Sequence, residues 1–146
     1  MSYVNSTYHI IFATHNRCKA LIGEENCQEL YRYIWGIIQK NNSTLIRINS
    51  MPEHVHILLE LDSQTSISQI VRDIKRSSSL WIKQSGRFPY FVSWSHEYAA
   101  FSVSFQSKDV VKQYIQNQQQ HHQHKSFDEE YNDFLREHGM QPFEKE

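Results

Sequence analysis

Two histidines separated by one residue are the first residues of this chain whose types and spacing suggest chemistry. His54 and His56 lie in the stretch 54–61, in which every second side chain is apolar: Val55, Ile57, Leu59 and Leu61. Because strand side chains alternate between two faces, both histidines leave one face of a strand, opposite the apolar face. Two imidazoles at this spacing can hold one divalent metal ion, although they can also be ordinary surface residues.

A tyrosine and a glutamine near the C-terminal end form the second candidate group. Tyr114 and Gln118 lie in a segment that is capped by Ser107 and is expected to be helical to about His122. Residues four apart share a helix face, so these two side chains would point the same way. On the residues alone, a half-buried aromatic and a surface amide remain open as alternatives.

The hydrophobic pattern predicts the elements that would carry these residues. Strands are expected at 8–14, 44–50, 54–61 and 98–104, with helices at 24–40, 67–83 and two more after residue 107. Met51 and Pro52 would form the turn of an antiparallel hairpin. This order is the ferredoxin-like β-α-β-β-α-β arrangement, an α+β fold in which an antiparallel sheet has two helices on one face, followed by C-terminal helices carrying the tyrosine. We expect the other sheet face, with the histidines, to lie open.

Composition indicates a globular chain rather than a disordered or membrane-spanning one. The 146 residues are 39% hydrophobic with a net charge of −1, and we expect a single domain over residues 1–146. No apolar run reaches membrane-spanning length, and the N-terminus lacks the features of a signal peptide, so we expect a cytoplasmic location and no membrane partner. Cys18 and Cys27 lack metal-ligand spacing and are expected to be reduced thiols.

Positive charge is concentrated on one predicted helix. Its polar face carries Arg72, Lys75, Arg76 and Lys83, interspersed with serines. Cations mixed with hydroxyls suit phosphate contacts, so this face is a candidate DNA-binding surface, as is Arg17 in the loop after the first strand. Both features are also compatible with simple solvation.

The segment 116–125 is rich in glutamine and histidine. It contains His121, His122 and His124, which could bind a metal ion. The preferred interpretation is a solvated polar segment, because such compositional bias is typical of exposed chain.

These segments together resemble the single-tyrosine HUH transposases, the insertion-sequence-200-like family, and its REP-associated relatives. The resemblance rests on residues 8–14, the triplet His54-Val55-His56 after Pro52, residues 71–77 and 98–104, and the stretch Tyr114–Gln118 followed by two histidines. The triplet alone is weakly specific, whereas the triplet, the tyrosine helix and the element order together are highly specific. The resemblance implies that His54 and His56 ligate Mg²⁺ or Mn²⁺, that Gln118 completes the metal site and that Tyr114 is the nucleophile.

The resemblance also implies an activity and partners. Members of the family cut and rejoin single-stranded DNA through a covalent 5′-phosphotyrosine, recognise DNA hairpins and look like homodimers. Two alternatives stay open: a domesticated, non-catalytic protein that binds single strands or hairpins, and a metal-dependent phosphodiesterase that uses water. The intact set of His54, His56, Tyr114 and Gln118 favours the transposase, because a binding protein has no need of all four.

Overall fold

A four-stranded antiparallel sheet forms the centre of the computed structural model, which describes residues 2–122 and 125–141. Its strands are β1 (Thr7–Ala13), β2 (Thr44–Met51), β3 (His54–Glu60) and β4 (Ala99–Ser102). They are arranged in the order β2-β3-β1-β4, and every neighbouring pair is antiparallel. The predicted ferredoxin-like α+β fold is therefore confirmed, with the histidine strand β3 in the interior of the sheet.

Two helices cover one face of the sheet, as predicted. Helix α1 (Glu24–Lys40) has the predicted bounds, and helix α2 (Ile67–Ser85) begins after Ser66, whose Oγ accepts a hydrogen bond from the Gln69 backbone amide. The main core lies between these helices and the alternate residues of the strands, among them Ile10, Phe12, Val55 and Ile57. No helix within the described residues is long and apolar enough to span a bilayer.

The expectation that the other sheet face lies open is wrong. It is covered by α3 (Lys108–Gln116), α4 (Gln118–His121) and α5 (Phe127–Glu137). Apolar side chains of α5 and α3 pack there in two further clusters against this face, whose residues include Ile11, Ala13, Leu58, Ala99 and Phe101. Since both faces of β1, β3 and β4 carry apolar side chains, both faces have to be buried. The sheet thus lies between two helical layers.

Besides shifts of one or two residues at the ends of β1, β2, β3 and α2, three predicted features differ from the structure. The tyrosine segment is not one continuous helix, because α3 ends at Gln116 and Asn117 leaves the helical conformation with φ −99° and ψ 23°. The hairpin turn is formed by Pro52 and Glu53, since Met51 still pairs with His54. Strand β4 is shorter than predicted, because the Ser104 hydroxyl begins a short 3₁₀ turn by accepting a hydrogen bond from the Ser107 amide.

Candidate active site

The two histidines of β3 point into the covered side of the sheet. His54 and His56 have no solvent-accessible surface, and their rings meet edge to face with centroids 5.0 Å apart. Their neighbours on the flanking strands are Ala13 and Ile11 of β1 and Met51 and Asn49 of β2. The alternation of β3 therefore places both imidazoles on one face, as predicted, but in the protein interior rather than in solvent.

The break between α3 and α4 brings Tyr114 and Gln118 to these histidines. At this break the Asn49 side-chain amide donates a hydrogen bond of 2.9 Å to the Ile115 carbonyl, which ties the end of α3 to β2. Gln118 is fully buried, and its Oε1 lies 3.3 Å from His54 Nε2. The structure thus brings together all four residues of the predicted catalytic and metal-binding set, and it does so within one chain.

Glu130 of α5 lies at the centre of this group, and it was not among the predicted site residues. Its Oε1 lies 3.0 Å from His56 Nε2, 3.4 Å from His54 Nε2 and 3.2 Å from His122 Nε2. Its Oε2 accepts hydrogen bonds from the Tyr114 hydroxyl and, at 3.2 Å, from the Gln118 amide. One buried carboxylate therefore contacts every predicted member of the site.

His122 also belongs to this group, so the interpretation of its segment as solvated is wrong for this residue. Its Nε2 lies 3.1 Å from Gln118 Oε1, and its side chain is only 6% exposed. The helical turn of α4 points His122 in the same direction as Gln118, four residues earlier. The side chain of His121 and all of His124 lie outside the described part of the chain.

The second nitrogen of each β3 histidine also has a partner. His54 Nδ1 lies 2.9 Å from Glu53 Oε1 in the hairpin turn. His56 Nδ1 lies 2.8 Å from Nε2 of His9, a buried residue of β1 that was not predicted to take part. The two rings are thus held at both of their nitrogens.

Burial and hydrogen bonds set the charges within the site. Burial alone would raise the pKa of the Glu130 carboxyl, but the hydrogen bonds from His54 and His56 outweigh it and hold this pKa well below its usual range. Burial and the hydrogen bond to Glu130 raise the pKa of Tyr114 above its usual range. At neutral pH the carboxylate is therefore charged and the phenol is protonated, which fits a hydrogen bond that the phenol donates.

The pKa values of the buried histidines shift in different directions. Burial lowers the pKa of His56 to about 4, and burial together with the nearby His56 lowers the pKa of His9 well below its usual value. For His54, the hydrogen bonds to Glu130 and Glu53 outweigh burial and raise the pKa. His9 and His56 are consequently neutral at pH 7, the form in which an imidazole can ligate a metal.

The donor atoms of the site fit a divalent metal ion. One ligand atom each from His54, His122 and Glu130 lies within 4.8 Å of the other two. Gln118 Oε1 lies between the two histidines, and the contact of His54 Nδ1 with the Glu53 carboxylate is of the kind that orients metal-ligating histidines. Imidazole nitrogens together with carboxylate and amide oxygens form a donor set for a divalent metal ion.

The predicted DNA-binding residues fall into two places. Arg17 is close to the site: its guanidinium lies 4.9 Å from the Phe127 ring, which stacks on His54, and its Nε lies 3.2 Å from Asp128 Oδ1. The cations of α2 lie in the opposite helical layer, and the structure does not bring them together with the histidines. Of these, Lys75 donates hydrogen bonds to backbone carbonyls between β4 and α2, whereas Arg72, Arg76 and Lys83 are exposed.

A weak signal for Glu130 was present in the sequence. Glu130 lies three residues after Phe127 and four before Phe134, so it shares the apolar face of α5. A carboxylate on such a face needs a buried partner. His9 lies on the same face of β1 as Ile11, but alternation alone could not indicate which buried residue it would meet.

Comparison with known proteins identifies relatives over most of the chain. A family model described as "Transposase IS200 like" matches residues 2–118. The ISDra2 transposase TnpA of Deinococcus radiodurans is 26% identical over 120 residues, which cover 76% of this chain and 82% of that protein. The transposase for insertion sequence element IS200 of Salmonella typhimurium is 30% identical over 82 residues, 53% of this chain and 51% of the relative.

Two solved structures of similar fold are also described as transposases. The crystal structure of a putative transposase from Deinococcus radiodurans superimposes with a TM-score of 0.63 at 28% identity, covering 81% of this chain and 95% of the other. The structure of a REP-associated tyrosine transposase bound to a REP hairpin gives a TM-score of 0.61 at 17% identity, over 84% and 72% of the two chains. At that identity the second similarity concerns the fold alone. The family match includes His54, His56, Tyr114 and Gln118, and the chain belongs to the family of IS200-like transposases.

Proposed function

We propose that the protein cleaves single-stranded DNA through a covalent 5′-phosphotyrosine at Tyr114 and rejoins it to a free 3′-hydroxyl, with a divalent metal held by His54, His56 and Gln118. The observation that carries this proposal is the convergence of all four side chains on one carboxylate, that of Glu130. A nucleophile and a set of metal ligands that contact the same anion are arranged as phosphoryl transfer requires.

Glu130 supports the proposal because it marks a position for an anion. Its Oε2 accepts the hydrogen bond from the Tyr114 hydroxyl, and its Oε1 contacts the histidine nitrogens. A phosphodiester also presents two free oxygens and a negative charge, and it can take this position only after Glu130 has left it. Since His54, His56 and Gln118 are fully buried, α5 has to move before DNA reaches them.

A divalent metal, Mg²⁺ or Mn²⁺, would be held by His54, His56 and Gln118, with His122 beside them. When bound, the metal polarises the scissile phosphate and stabilises the charge that develops on its oxygens. The three proposed ligands are uncharged, so they leave the positive charge of the metal available to the phosphate. In the absence of DNA, Glu130 would offer the metal an anionic donor, and it would have to leave for the phosphate to take its place.

The chain's own residues would carry the transfer as follows. Tyr114 Oη forms a bond to phosphorus while the bond from phosphorus to the 3′-oxygen breaks, the phenol gives up its proton, and the departing 3′-oxygen takes one up. A phenol, with a pKa of about 10, is a better leaving group than a sugar hydroxyl, so the reverse attack by a 3′-hydroxyl can rejoin the strand without a nucleotide cofactor.

The proposed partners are DNA hairpins and a second copy of the chain. The hairpin in the similar REP-associated structure supports the first, and membership of the transposase family supports recognition of DNA. Arg17 lies where it could contact a strand that enters the site, once its ion pairs with Asp128 and Glu97 open. Arg72, Arg76 and Lys83 would bind DNA outside the site, on the opposite layer of the fold.

A trapping experiment tests the proposal. The protein is incubated with a pool of randomised single strands and hairpins in the presence of Mn²⁺, denatured, and examined for DNA that stays attached. We expect attached DNA with the wild type and none with Tyr114→Phe. The matched control is Tyr131→Phe, which removes the hydroxyl of a buried tyrosine on α5 that is not part of the site.

The alternatives give different results in the same experiment. Cleaved DNA without an adduct would identify a phosphodiesterase that uses water. Retention of hairpins before denaturation, without metal and without cleavage, would identify a non-catalytic binding protein. Either result, or an adduct that survives in Tyr114→Phe, would refute the proposed role of Tyr114.

A further inference from the structure

Within the part of the chain that the structure describes, the ring of His9 on β1 has one hydrogen-bond partner, His56. The rings of Phe134, Phe101 and Tyr114 contact it edge-on, with centroids 5.2, 6.3 and 6.5 Å away. Its Nε2 points instead to His56 Nδ1, at 2.8 Å, and the two imidazoles stack with centroids 5.0 Å apart. His9 is 2% exposed, so this contact is shielded from water.

The partners of His56 determine where its proton lies. Its Nε2 is 3.0 Å from Glu130 Oε1, and an ionised carboxylate only accepts hydrogen bonds. His56 therefore carries its proton on Nε2, its Nδ1 accepts, and His9 Nε2 donates. Glu130 thus sets the tautomer of His56, and the contact with His9 holds the orientation of the His56 ring.

A metal ion at His56 Nε2 would require the opposite arrangement. The nitrogen that ligates must offer its lone pair, so the proton of His56 has to lie on Nδ1 and be donated to His9 Nε2. The proton between the rings then passes from His9 Nε2 to His56 Nδ1, the Nε2 proton of His56 is released, and His9 Nδ1 takes up one proton. The number of bound protons does not change.

We propose that His9 is a positioning residue for His56. Its Nε2 holds the His56 ring at Nδ1, and this His9 nitrogen would donate the hydrogen bond in the metal-free site and accept it when a metal is bound. Imidazole suits this position because the same ring nitrogen can donate or accept a hydrogen bond, depending on the tautomer, whereas Lys or Arg can only donate. Glu53 plays the corresponding part for His54, at 2.9 Å from its Nδ1. The inference rests on the proposed function, because it assumes that His56 ligates a metal.

Metal binding by variants at this position tests the inference. Loss of a residue that orients a metal ligand costs roughly 10–100-fold in metal affinity, so we expect His9→Phe to bind Mn²⁺ that much more weakly in solution, measured by calorimetry or by the electron paramagnetic resonance of free Mn²⁺. His9→Gln should stay within about threefold of the wild type, because its amide can donate or accept near the same place. The control is His138→Phe, which alters another histidine stacked on Phe101 that does not touch His56.

The outcomes separate this inference from the proposed function. Equal Mn²⁺ affinity of wild type, His9→Phe and His9→Gln would overturn the role of His9 and leave the metal site intact. No binding of Mn²⁺ by the wild type would overturn both. A merely structural role would weaken the two His9 variants alike, so a difference between Phe and Gln supports positioning.

A measurement on the wild type covers the case in which His9→Phe does not fold. Nitrogen-15 chemical shifts report which ring nitrogen of a histidine carries the proton. We expect His56 to be protonated at Nε2 in the metal-free protein and at Nδ1 in saturating Mg²⁺, with His9 changing in the same titration. A His56 ring that keeps its proton on Nε2 in Mg²⁺ would overturn the inference.

Discussion

Replacing Glu130 by glutamine removes the charge at the centre of the site while keeping the size of the side chain. In the structure this carboxylate accepts hydrogen bonds from Tyr114, Gln118 and His56, and it is 2% exposed. A hydrogen bond to a charged group contributes about 1.5–3 kcal/mol, but removing the charge also removes the cost of burying it. We therefore expect Glu130→Gln to lower the free energy of unfolding of the metal-free protein by about 2 kcal/mol.

The loss of unfolding free energy in Glu130→Gln should become smaller as the pH falls. Because the pKa of Glu130 is lowered on folding, its contribution is present above the unfolded value of about 4.3 and is lost as the pH falls below it. The difference between wild type and Glu130→Gln should thus be full at pH 6 and shrink toward pH 3. Urea unfolding with a chelator present measures it at each pH.

Activity should change in the opposite sense from stability. If DNA has to displace Glu130, a bond weakened by about 2 kcal/mol makes the open site up to roughly 30-fold more accessible. We expect Glu130→Gln to form more adduct than the wild type at saturating Mn²⁺. The control is Glu129→Gln, which neutralises an exposed neighbour on α5 and should leave both properties within about 1 kcal/mol or threefold of wild type. Loss of adduct at saturating Mn²⁺ would refute displacement and indicate that Glu130 is needed as a ligand throughout.

Three further substitutions test the elements around the site. Tyr31→Phe should lower the free energy of unfolding by about 1 kcal/mol at pH 7, because the Tyr31 hydroxyl hydrogen-bonds to Ser50. Burial raises the pKa of Tyr31 to about 12, so this stabilisation should be lost as the pH rises from about 10 toward 12. A variant that is still less stable than the wild type at pH 12 in urea unfolding would contradict the reasoning. Arg17→Met should lower the free energy of unfolding by no more than about 1 kcal/mol, since the ion pair of Arg17 with Asp128 is partly exposed. A much larger loss in thermal unfolding would contradict this and show that Arg17 holds α5 in place. Phe127→Ala should lower the free energy of unfolding by about 3 kcal/mol or more, because it removes a buried ring that stacks on His54. Hydrogen exchange should then show faster opening of α5, and protection equal to wild type would argue that Phe127 does not hold α5 in place.

The fold could be predicted from the sequence because its signals are local. The α1 pattern of buried residues, the Ser66 cap and the alternation of β3 each depend on nearby residues only. The burial of the second sheet face could not be predicted in this way, because it depends on contacts between apolar surfaces that are far apart in the sequence. Leu58, which lies between the core-facing residues of β3 on the histidine face, was the local sign that this face is also buried.

The candidate site was predicted in part for a related reason. Spacing made His54 with His56 and Tyr114 with Gln118 candidates, the resemblance to a family pattern gave them roles, and the structure brings them together. Glu130 follows Gln118 by twelve residues, and its position depends on how α5 turns back over the sheet. Its place on the apolar face of α5 was a sign that it is buried, but no periodicity determines that return, so its position at the centre of the site could not be predicted.

The most direct test of the central claim is to locate the bond between protein and DNA. Wild-type protein carrying trapped DNA is digested with protease and nuclease, and the modified peptide is sequenced by mass spectrometry. The account predicts one modified residue, Tyr114, linked to a 5′-phosphate, and only when Mg²⁺ or Mn²⁺ is present. A phosphate on any other residue, or no modified peptide in a sample that has cleaved DNA, would contradict it.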